Sequence, residues 1–429
     1  MIEYLKQNFN KEIIVEGFID KIRNLQYVIF VILRHNNEKV QVTIEKENNE
    51  KLVKIIEDLT LESTVKITGK VLENEKVKLN NLEIIPTNIE ITSKSLSELP
   101  FDYKSKDNSL RETKLDYRFL DLRREDNQLL FKVQSYMEHM MREYWYQNNY
   151  QEIHTPKISG NGAESGAEMF KLDYFGKKAY LSQSPQLYKQ MVMASEFDKI
   201  FEIGPVFRAE NSHTSYHATE IEMIDVEISW IHKVEEVMKE EENWIKYFYN
   251  KVLEKYKNEI EKQFKVKLNP IDYDIPRIDF YEVKKILKDK YQGEKEEDID
   301  RKEEELIGKY VKKKYNSDFV FITNYPYSAR SFYVKKDNNK TETFDLLYKG
   351  LEITSGAIRE NRYDILKNQI EEKGLDIKNF EFYLEFFKYG MPPHGGFGVG
   401  MNRILMRMFE IDNIREATLI YRGPTRLNP

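Results

Sequence analysis

"FEIGPVFRAENSHTSYHATEIEMIDVE", residues 201–227, opens on an apolar run ending in Phe-Arg-Ala-Glu, crosses a polar loop, and closes on a second run ending in Asp225-Val226-Glu227. It reads as strand, loop and strand, crowded with carboxylates, imidazoles and an arginine. Strands return from Phe319 onward in "DFVFITNYP", "SFYVKK" and "TFDLLYKGLEITSG", and "GGFGVGMNRILMRMF" is a glycine-rich strand running into a helix. Between them, apolar residues recur at helical spacing from about Asn127 to Asn148, and 233–265 and 296–315 read as charged amphipathic helices, expected to be solvated packing helices. Strands and helices interleave without regular β-α-β alternation. The expected class is therefore α+β, a mostly antiparallel sheet flanked by helices.

Working outward, 429 residues exceed what one core holds, so more than one domain is expected. Residues 12–92 carry short β-branched and aromatic runs, among them "EIIVEGFIDKIR", "YVIFVILRH" and "STVKITGKVLE", with a helix-like "NNEKLVKIIEDL" between them. That spacing predicts a five-stranded barrel of the oligonucleotide-binding kind. The expected division is a barrel domain at 1–95, a charged linker at 96–125 and a larger domain at 126–429 with a mainly helical excursion at about 233–315. Apolar residues make up 40% and charged residues 33%, a soluble globular balance. The net charge of -6 argues against holding nucleic acid by bulk attraction, although a local basic face is compatible with it. No cysteine is present, which excludes disulfides, thiolate metal sites and a cysteine nucleophile. The start, "MIEYLKQNFNKE", lacks a signal-peptide core, and "YVIFVIL" at 27–33 is too short to cross a bilayer, so a cytoplasmic protein without a membrane partner is expected.

Phosphate chemistry without a phosphate loop needs fixed positive charges and a magnesium ion held by carboxylates. The chain has no G-x-x-x-x-G-K-[ST]. It has Arg208 at a strand end and Arg403 just after Gly398 and Gly400, whose missing side chains let a flat substrate approach the backbone. In "FDLLYKGLEI" a hairpin centred near Tyr348 and Lys349 would set Asp345 opposite Glu352. Two such carboxylates repel unless a cation sits between them, and hard oxygen ligands suit Mg2+ bridging phosphates.

"FRAE" at 207–210, the downstream "DVE", "FDLLYKGLEI", "EFYLEFFKYGMPPHGGFGVG" and "NRILMRMFEIDNIREA" resemble motifs 2 and 3 and the intervening strands of class II aminoacyl-tRNA synthetases. "LDYRFLDLRR" and Pro156 in "HTPKI" resemble the entry to motif 1, which in that family builds the dimer interface. The likeness covers nearly the whole chain and is closest to the aspartyl type of archaea and eukaryotes. It implies a homodimer that activates aspartate with ATP and Mg2+, releases pyrophosphate, and passes the aspartyl group to tRNA(Asp), with tRNA(Asn) left open.

The resemblance also implies roles residue by residue. Arg208 and Arg403 would be catalytic, Arg208 gripping the α-phosphate and the amino-acid carboxylate. Glu210 would contact the adenosine or position the tRNA end, and His217, between Tyr216 and Ala218, would contact ATP. Glu352, Gly400, Met401, Asn402 and Arg403 complete the ATP set. Asp345, Glu352 and Ser355 would hold the metal. Aspartate would lie among Glu164, Gln186, Lys189, Arg208, Ser355 and Arg359, its side-chain carboxylate clasped by Lys189 and Arg359 and its ammonium group held by Glu164. In the barrel, Phe30 would stack on an anticodon base and Gln41 read a base edge, flanked by Arg23 and Arg34.

Two departures stand out. The family's motif 2 loop usually carries Arg-His-Leu where this chain has Tyr216-His217-Ala218, removing a cation from above ATP, and motif 3 usually has an acidic residue where this chain has Asn402. Three alternatives follow: an asparaginyl enzyme, a paralogue that passes aspartate to another acceptor, and a non-catalytic RNA-binding protein on the same fold.

Overall fold

A computed structural model describes the chain except for residues 106–109, 161–167, 212–213, 290, 292, 294 and 339. It divides into two compact units, Met1–Thr113 and Lys114–Pro429.

The first unit is a closed barrel of β1 (Glu12–Asn24), β2 (Val28–His35), β3 (Glu38–Glu45), β4 (Thr64–Glu73) and β5 (Leu82–Ser93), in the order β1-β2-β3-β5-β4. Every second residue of the central strands is apolar and buried, as in Ile29, Val31 and Leu33 on β2, or Val40, Val42 and Ile44 on β3. That alternation closes the core on one face and leaves the other to polar groups. Helix α1 (Glu50–Glu57) contributes Leu52 and Ile56 to the same core.

The second unit is an eight-stranded sheet of β6 (Gln151–Glu152), β7 (Lys199–Phe207), β8 (Glu220–Ser229), β9 (Arg277–Asp279), β10 (Phe319–Thr323), β11 (Thr343–Tyr348), β12 (Leu351–Ile358) and β13 (His394–Gly400), in the order β9-β10-β11-β12-β13-β8-β7-β6. Only the edge strands β6 and β9 pair in parallel. Helices α2 (Glu125–Gln147) and α4 (Val234–Phe264) cover one face; α3 (Gln186–Met193), α5 (Phe280–Leu287) and α6 (Arg301–Tyr315) belong to the same unit. α4 packs as an amphipathic helix, because Val237, Trp244, Phe248 and Val252 form an apolar stripe at helical spacing, each 1% exposed or less, while its other faces stay polar. Trp244 stacks on Trp145 of α2 at 4.7 Å, and Trp145 on Phe201 of β7 at 4.4 Å. Fully burying a side chain of this size contributes roughly 1.5–3 kcal/mol, so this seam fixes the helix layer on the sheet.

α6 starts where Asp300 accepts from the backbone N–H of Lys302 and Glu303 while the Glu303 carboxylate accepts from the Asp300 N–H, a reciprocal cap. It then packs backbone to backbone on the β11–β12 turn, where a Cβ on Gly308 would lie 2.6 Å from Gly350 Cα. Three further helices, α7 (Tyr363–Glu372), α8 (Glu381–Phe387) and α9 (Met401–Met408), belong to the same unit. Among the described residues, no helix is long and apolar enough to cross a membrane.

Candidate active site

The two faces of the sheet differ in chemistry. On β11, Phe344, Leu346 and Tyr348 join the core under α4, so Asp345 and Leu347 point the other way. On β13, Phe397 and Val399 join that core, so Gly396, Gly398 and Gly400 face away from it. One row of cross-strand partners runs Glu202–Asp225–Gly398–Ser355–Asp345 over β7, β8, β13, β12 and β11. Above it lies a cavity of about 420 Å³, walled by Arg208, Glu210, Tyr216, His217, Asp225, Arg330, Glu352, Ser355, Arg359, Gly398, Gly400 and Arg403. Residues from three strands, from the segments that follow β7 and precede β11, and from α9 thus meet over a floor of bare backbone.

The expected hairpin geometry needs correction. The turn is Lys349–Gly350, with φ of 45° and 67°, one residue later than expected, because glycine supplies the left-handed conformation a two-residue hairpin requires. Asp345 pairs with Ser355 and Leu347 with Glu352, and the register shifts between Leu346 and Leu347. Asp345 and Glu352 are therefore not opposite each other. The bulge at the shift nevertheless leaves Asp345, Glu352 and Ser355 on the same face, since the partners Asp345 and Leu347 share one face. Enclosure and the Asp345 charge push the Glu352 carboxyl above its ordinary range, against the pull of Arg403 and Arg330.

Asp345 does not line the cavity openly. Arg330 donates to both of its oxygens, at 3.0 and 2.6 Å, and Arg330 Nη1 also donates to Ser355 Oγ at 3.2 Å. Among the described residues no group of three or more histidine, cysteine or acidic side chains is gathered for a metal. The oxygen set of Asp345, Glu352 and Ser355 is hard and multiply anionic, which fits magnesium in chemistry.

The expected aspartate cradle is also rearranged. Lys189 on α3 is buried and does not reach the cavity wall; its ammonium group lies 3.0 Å from Asp225 Oδ1 and 3.2 Å from Glu227 Oε2. A buried ammonium needs acceptors, and β8 provides them before any ligand does. Arg359 lines the cavity and donates from Nε and Nη2 to Glu227 at 2.9 and 3.1 Å, so Nη1 is the guanidinium nitrogen not committed to Glu227. Burial pushes Glu227 up, but Arg359 and Lys189 overcome it and hold its carboxyl down at about 2. For Asp225 burial wins over Lys189, aided by Glu202 and Glu227, and its carboxyl is raised. Gln186, at the start of α3, lines the cavity with a buried Nε2 lacking a hydrogen-bond partner among the described residues. Glu164 lies outside the described residues.

On the nucleotide side, Arg208 ends β7, its backbone N–H bonded to Thr219 O, and Arg403 Nη1 donates to Glu352 O at 3.0 Å. His217 Nε2 lies 4.0 Å from Glu210 Oε2, and burial holds its imidazole below the ordinary value despite Glu210. Ala218 is buried at the cavity wall, and Met401 is core rather than lining. Both departures have a structural counterpart. The Tyr216 ring lies 5.0 Å from the Arg301 guanidinium of α6 and 5.9 Å from Arg407 of α9, which brings two cations to the loop. Asn402 donates from Nδ2 to Ala417 O at 3.0 Å, a bond a carboxylate cannot make. Arg330, Arg301 and Arg407 were missed in the sequence, because nothing in their local spacing marks them.

In the barrel unit Arg23 pairs with Phe30 and Phe30 with Thr43, and Phe30 alternates with the core residues Ile29 and Val31, so it is not core. Gln41 Nε2 donates to Thr43 Oγ1 at 3.1 Å on the same outer face. Arg34 is not beside them as a free cation. It is buried, pairs with Glu62 at 2.7 Å and donates to Tyr103.

Comparison with known proteins decides what this arrangement belongs to. Residues 110–421 match the family described as tRNA synthetases class II (D, K and N), and residues 13–92 match the anticodon-type OB-fold nucleic acid binding domain. The chain belongs to the class II tRNA synthetases. Similar curated relatives include an aspartate–tRNA(Asp) ligase of Pyrococcus abyssi, 43% identical over 98% of this chain and 96% of its own. An aspartate–tRNA(Asp/Asn) ligase of Methanopyrus kandleri is 40% identical, again over 98% and 96%. Among solved structures, the asparaginyl-tRNA synthetase of Pyrococcus horikoshii complexed with asparaginyl-adenylate has a TM-score of 0.89 at 30% identity, covering 99% of this chain and 97% of that one. The aspartyl-tRNA synthetase of Entamoeba histolytica has a TM-score of 0.87 at 30% identity, covering 100% and 92%. The synthetase is thus an enzyme built from a tRNA-binding barrel and a class II catalytic unit.

Proposed function

We propose that this synthetase condenses L-aspartate with ATP to give aspartyl-adenylate and pyrophosphate, then transfers the aspartyl group to the terminal ribose of tRNA(Asp). The observation that carries aspartate is the Arg359–Glu227 pair, with Lys189 behind it: it fixes a permanent cation at the cavity wall with one nitrogen left for the substrate. A side-chain carboxylate accepts from that nitrogen. An asparagine amide turned to accept from it aims its own N–H2 elsewhere, where it needs an acceptor. Asp225 is the group that would supply one, through an Oδ2 with no partner among the described residues, and this favours asparagine as the second reading. Lys189, 3.0 Å from Asp225 Oδ1, offsets that carboxylate, and the Arg359 nitrogen facing the cavity makes aspartate the first reading.

In the first step Arg208 holds the α-phosphate beside the aspartate α-carboxylate for in-line attack, and Gln186 offers its unpaired N–H2 to the substrate. Arg403 neutralises phosphate charge and His217 contacts ATP; placement and charge do the work, without a covalent intermediate on the protein. Asp345, Glu352 and Ser355 would hold magnesium, which would supply positive charge to the phosphates when bound. In the barrel, Phe30 and Gln41 contact the anticodon with Arg23 alongside. The active form is a homodimer packed through the segment around Phe119, which is 63% exposed, and the groove of Leu122, Phe131, Tyr136 and Leu419.

Pyrophosphate exchange with each amino acid tests the reading. Exchange dependent on aspartate, with kcat/KM at least about a hundredfold above asparagine, is expected. Exchange driven better by asparagine, or by neither, would overturn it. Charging purified tRNA(Asp) and tRNA(Asn) in parallel then measures tRNA choice.

A further inference from the structure

We propose that Arg330 is the internal counter-cation of the metal site, competing with a divalent ion for Asp345 and Ser355, so that metal binds strongly only when a nucleotide gives Arg330 another acceptor. The inference rests on the reading of Asp345, Glu352 and Ser355 as metal ligands.

The geometry is specific. The guanidinium forks both oxygens of Asp345, at 3.0 and 2.6 Å, which commits the carboxylate in a bidentate pair. The same Nη1 donates to Ser355 Oγ at 3.2 Å. The face of the Tyr325 ring, 3.7 Å from the guanidinium carbon, holds the fork flat from the other side. The Arg330 side chain is 13% exposed, and its Nε is buried without a hydrogen-bond partner among the described residues. Among the described residues, its side-chain hydrogen bonds thus go to two of the three proposed metal ligands.

Magnesium bonds carboxylate oxygen at about 2.0–2.1 Å. An ion on either Asp345 oxygen would sit against the guanidinium nitrogen already there, so two cations would contend for one carboxylate. Arg330 therefore has to loosen its fork as the metal enters. It lines the cavity, so a guanidinium released from Asp345 stays beside the phosphates and can pair with one. Nucleotide and metal then favour each other's binding, and the metal site is guarded against free divalent ions.

The test is direct binding of Mn2+ to the full-length chain in the absence of nucleotide, read from free Mn2+ by electron paramagnetic resonance. Arg330→Gln removes the competing charge and should bind Mn2+ at least about tenfold more tightly than the unaltered chain. Arg330→Lys keeps a charge but loses the fork, and should fall between them. Adding Asp345→Asn to Arg330→Gln should cancel the gain. Should Arg330→Gln not fold, the Arg330→Lys comparison decides alone. Affinity equal to or weaker than the unaltered chain's in the folded variants would overturn the proposal. Aspartate-dependent exchange by the unaltered chain is measured alongside. Its absence would sink the proposed function and leave the Mn2+ comparison standing, whereas normal exchange with unchanged Mn2+ affinity would sink the role of Arg330 alone.

Discussion

Lys189→Met is the substitution that probes the recognition end of the site most sharply. The side chain is 3% exposed, and its two partners, Asp225 and Glu227, are 5% and 0% exposed. Methionine fills much of the same volume, so the effect is electrostatic rather than a cavity. Two buried carboxylates would be left to the single guanidinium of Arg359, and removing one partner from such a cluster costs about 3–5 kcal/mol. The loss should depend on pH. Asp225 already sits above its ordinary value of 3.8 because burial outweighs Lys189, and without Lys189 it rises further. A carboxyl raised in the folded chain keeps its proton longer there than in the unfolded chain. Between the two pKa values the folded state binds more protons, so stability falls as pH climbs and levels off above the folded value. Urea unfolding of the full chain at about pH 5 and about pH 8 should therefore show the variant regaining a large part of the loss at the lower pH, at up to about 1.4 kcal/mol per pH unit. In exchange assays the KM for aspartate should rise, because Arg359, left as the single cation for Asp225 and Glu227, has less charge to offer the substrate. A loss below about 1 kcal/mol, or one equal at both pH values, would refute the account of Lys189 as the buried counter-ion of Asp225 and Glu227.

Arg403→Ala should lower the rate of adenylate formation by about a hundredfold to a thousandfold with an unchanged unfolding midpoint, and near-full exchange activity would remove Arg403 from the machinery. A Cβ at Gly396 would lie 2.0 Å from Val226 O and 2.5 Å from Glu227 Oε2, so Gly396→Ala should push β8 from β13 and raise the KM for aspartate; kinetics indistinguishable from the unaltered chain would mean that the strands yield freely. Phe30→Ala should cost about 1–3 kcal/mol in tRNA affinity, read from filter binding, and leave exchange untouched. Equal loss of both activities would make it a folding residue. Phe119→Glu should convert a particle of twice the chain mass in sedimentation to the single chain, and an unchanged mass would exclude that face as the dimer contact.

How much of this was written in the sequence depends on how local the signal was. The barrel was legible because Ile29, Val31 and Leu33 alternate with Phe30 and Ile32 over a whole strand, and period two survives without knowledge of partners. Arg208, Arg403, Gly398 and Gly400 were legible for the same reason: each sits beside a strand end, on a glycine track or in the helical turn that follows it, and can be read in place. The hairpin was misplaced because a glycine at position 350 fixes the turn, while the register shift beyond it leaves no mark in composition. Lys189 was assigned to the ligand because its partners Asp225 and Glu227 lie 36 and 38 positions further along the chain, beyond the reach of any spacing rule. Arg330 escaped notice altogether, since its significance comes from Asp345 and Ser355 on two other strands. α4 was legible as an amphipathic packing helix, since Val237, Trp244, Phe248 and Val252 recur at helical spacing among charged residues.

The strand His394–Gly400 has no side chain at Gly396, Gly398 or Gly400, the positions turned away from the helices. Each glycine gives up roughly 0.5–1 kcal/mol relative to alanine, in the middle of the sheet, where a thermostable variant would ordinarily look for gains. That route is closed: a methyl group at Gly396 would strike Val226 O, and one at Gly398 or Gly400 would intrude on the cavity they line. Hardening of this protein against heat has to come from elsewhere, from its loops or helix ends, and a bound nucleotide would itself be the natural filler of the gap.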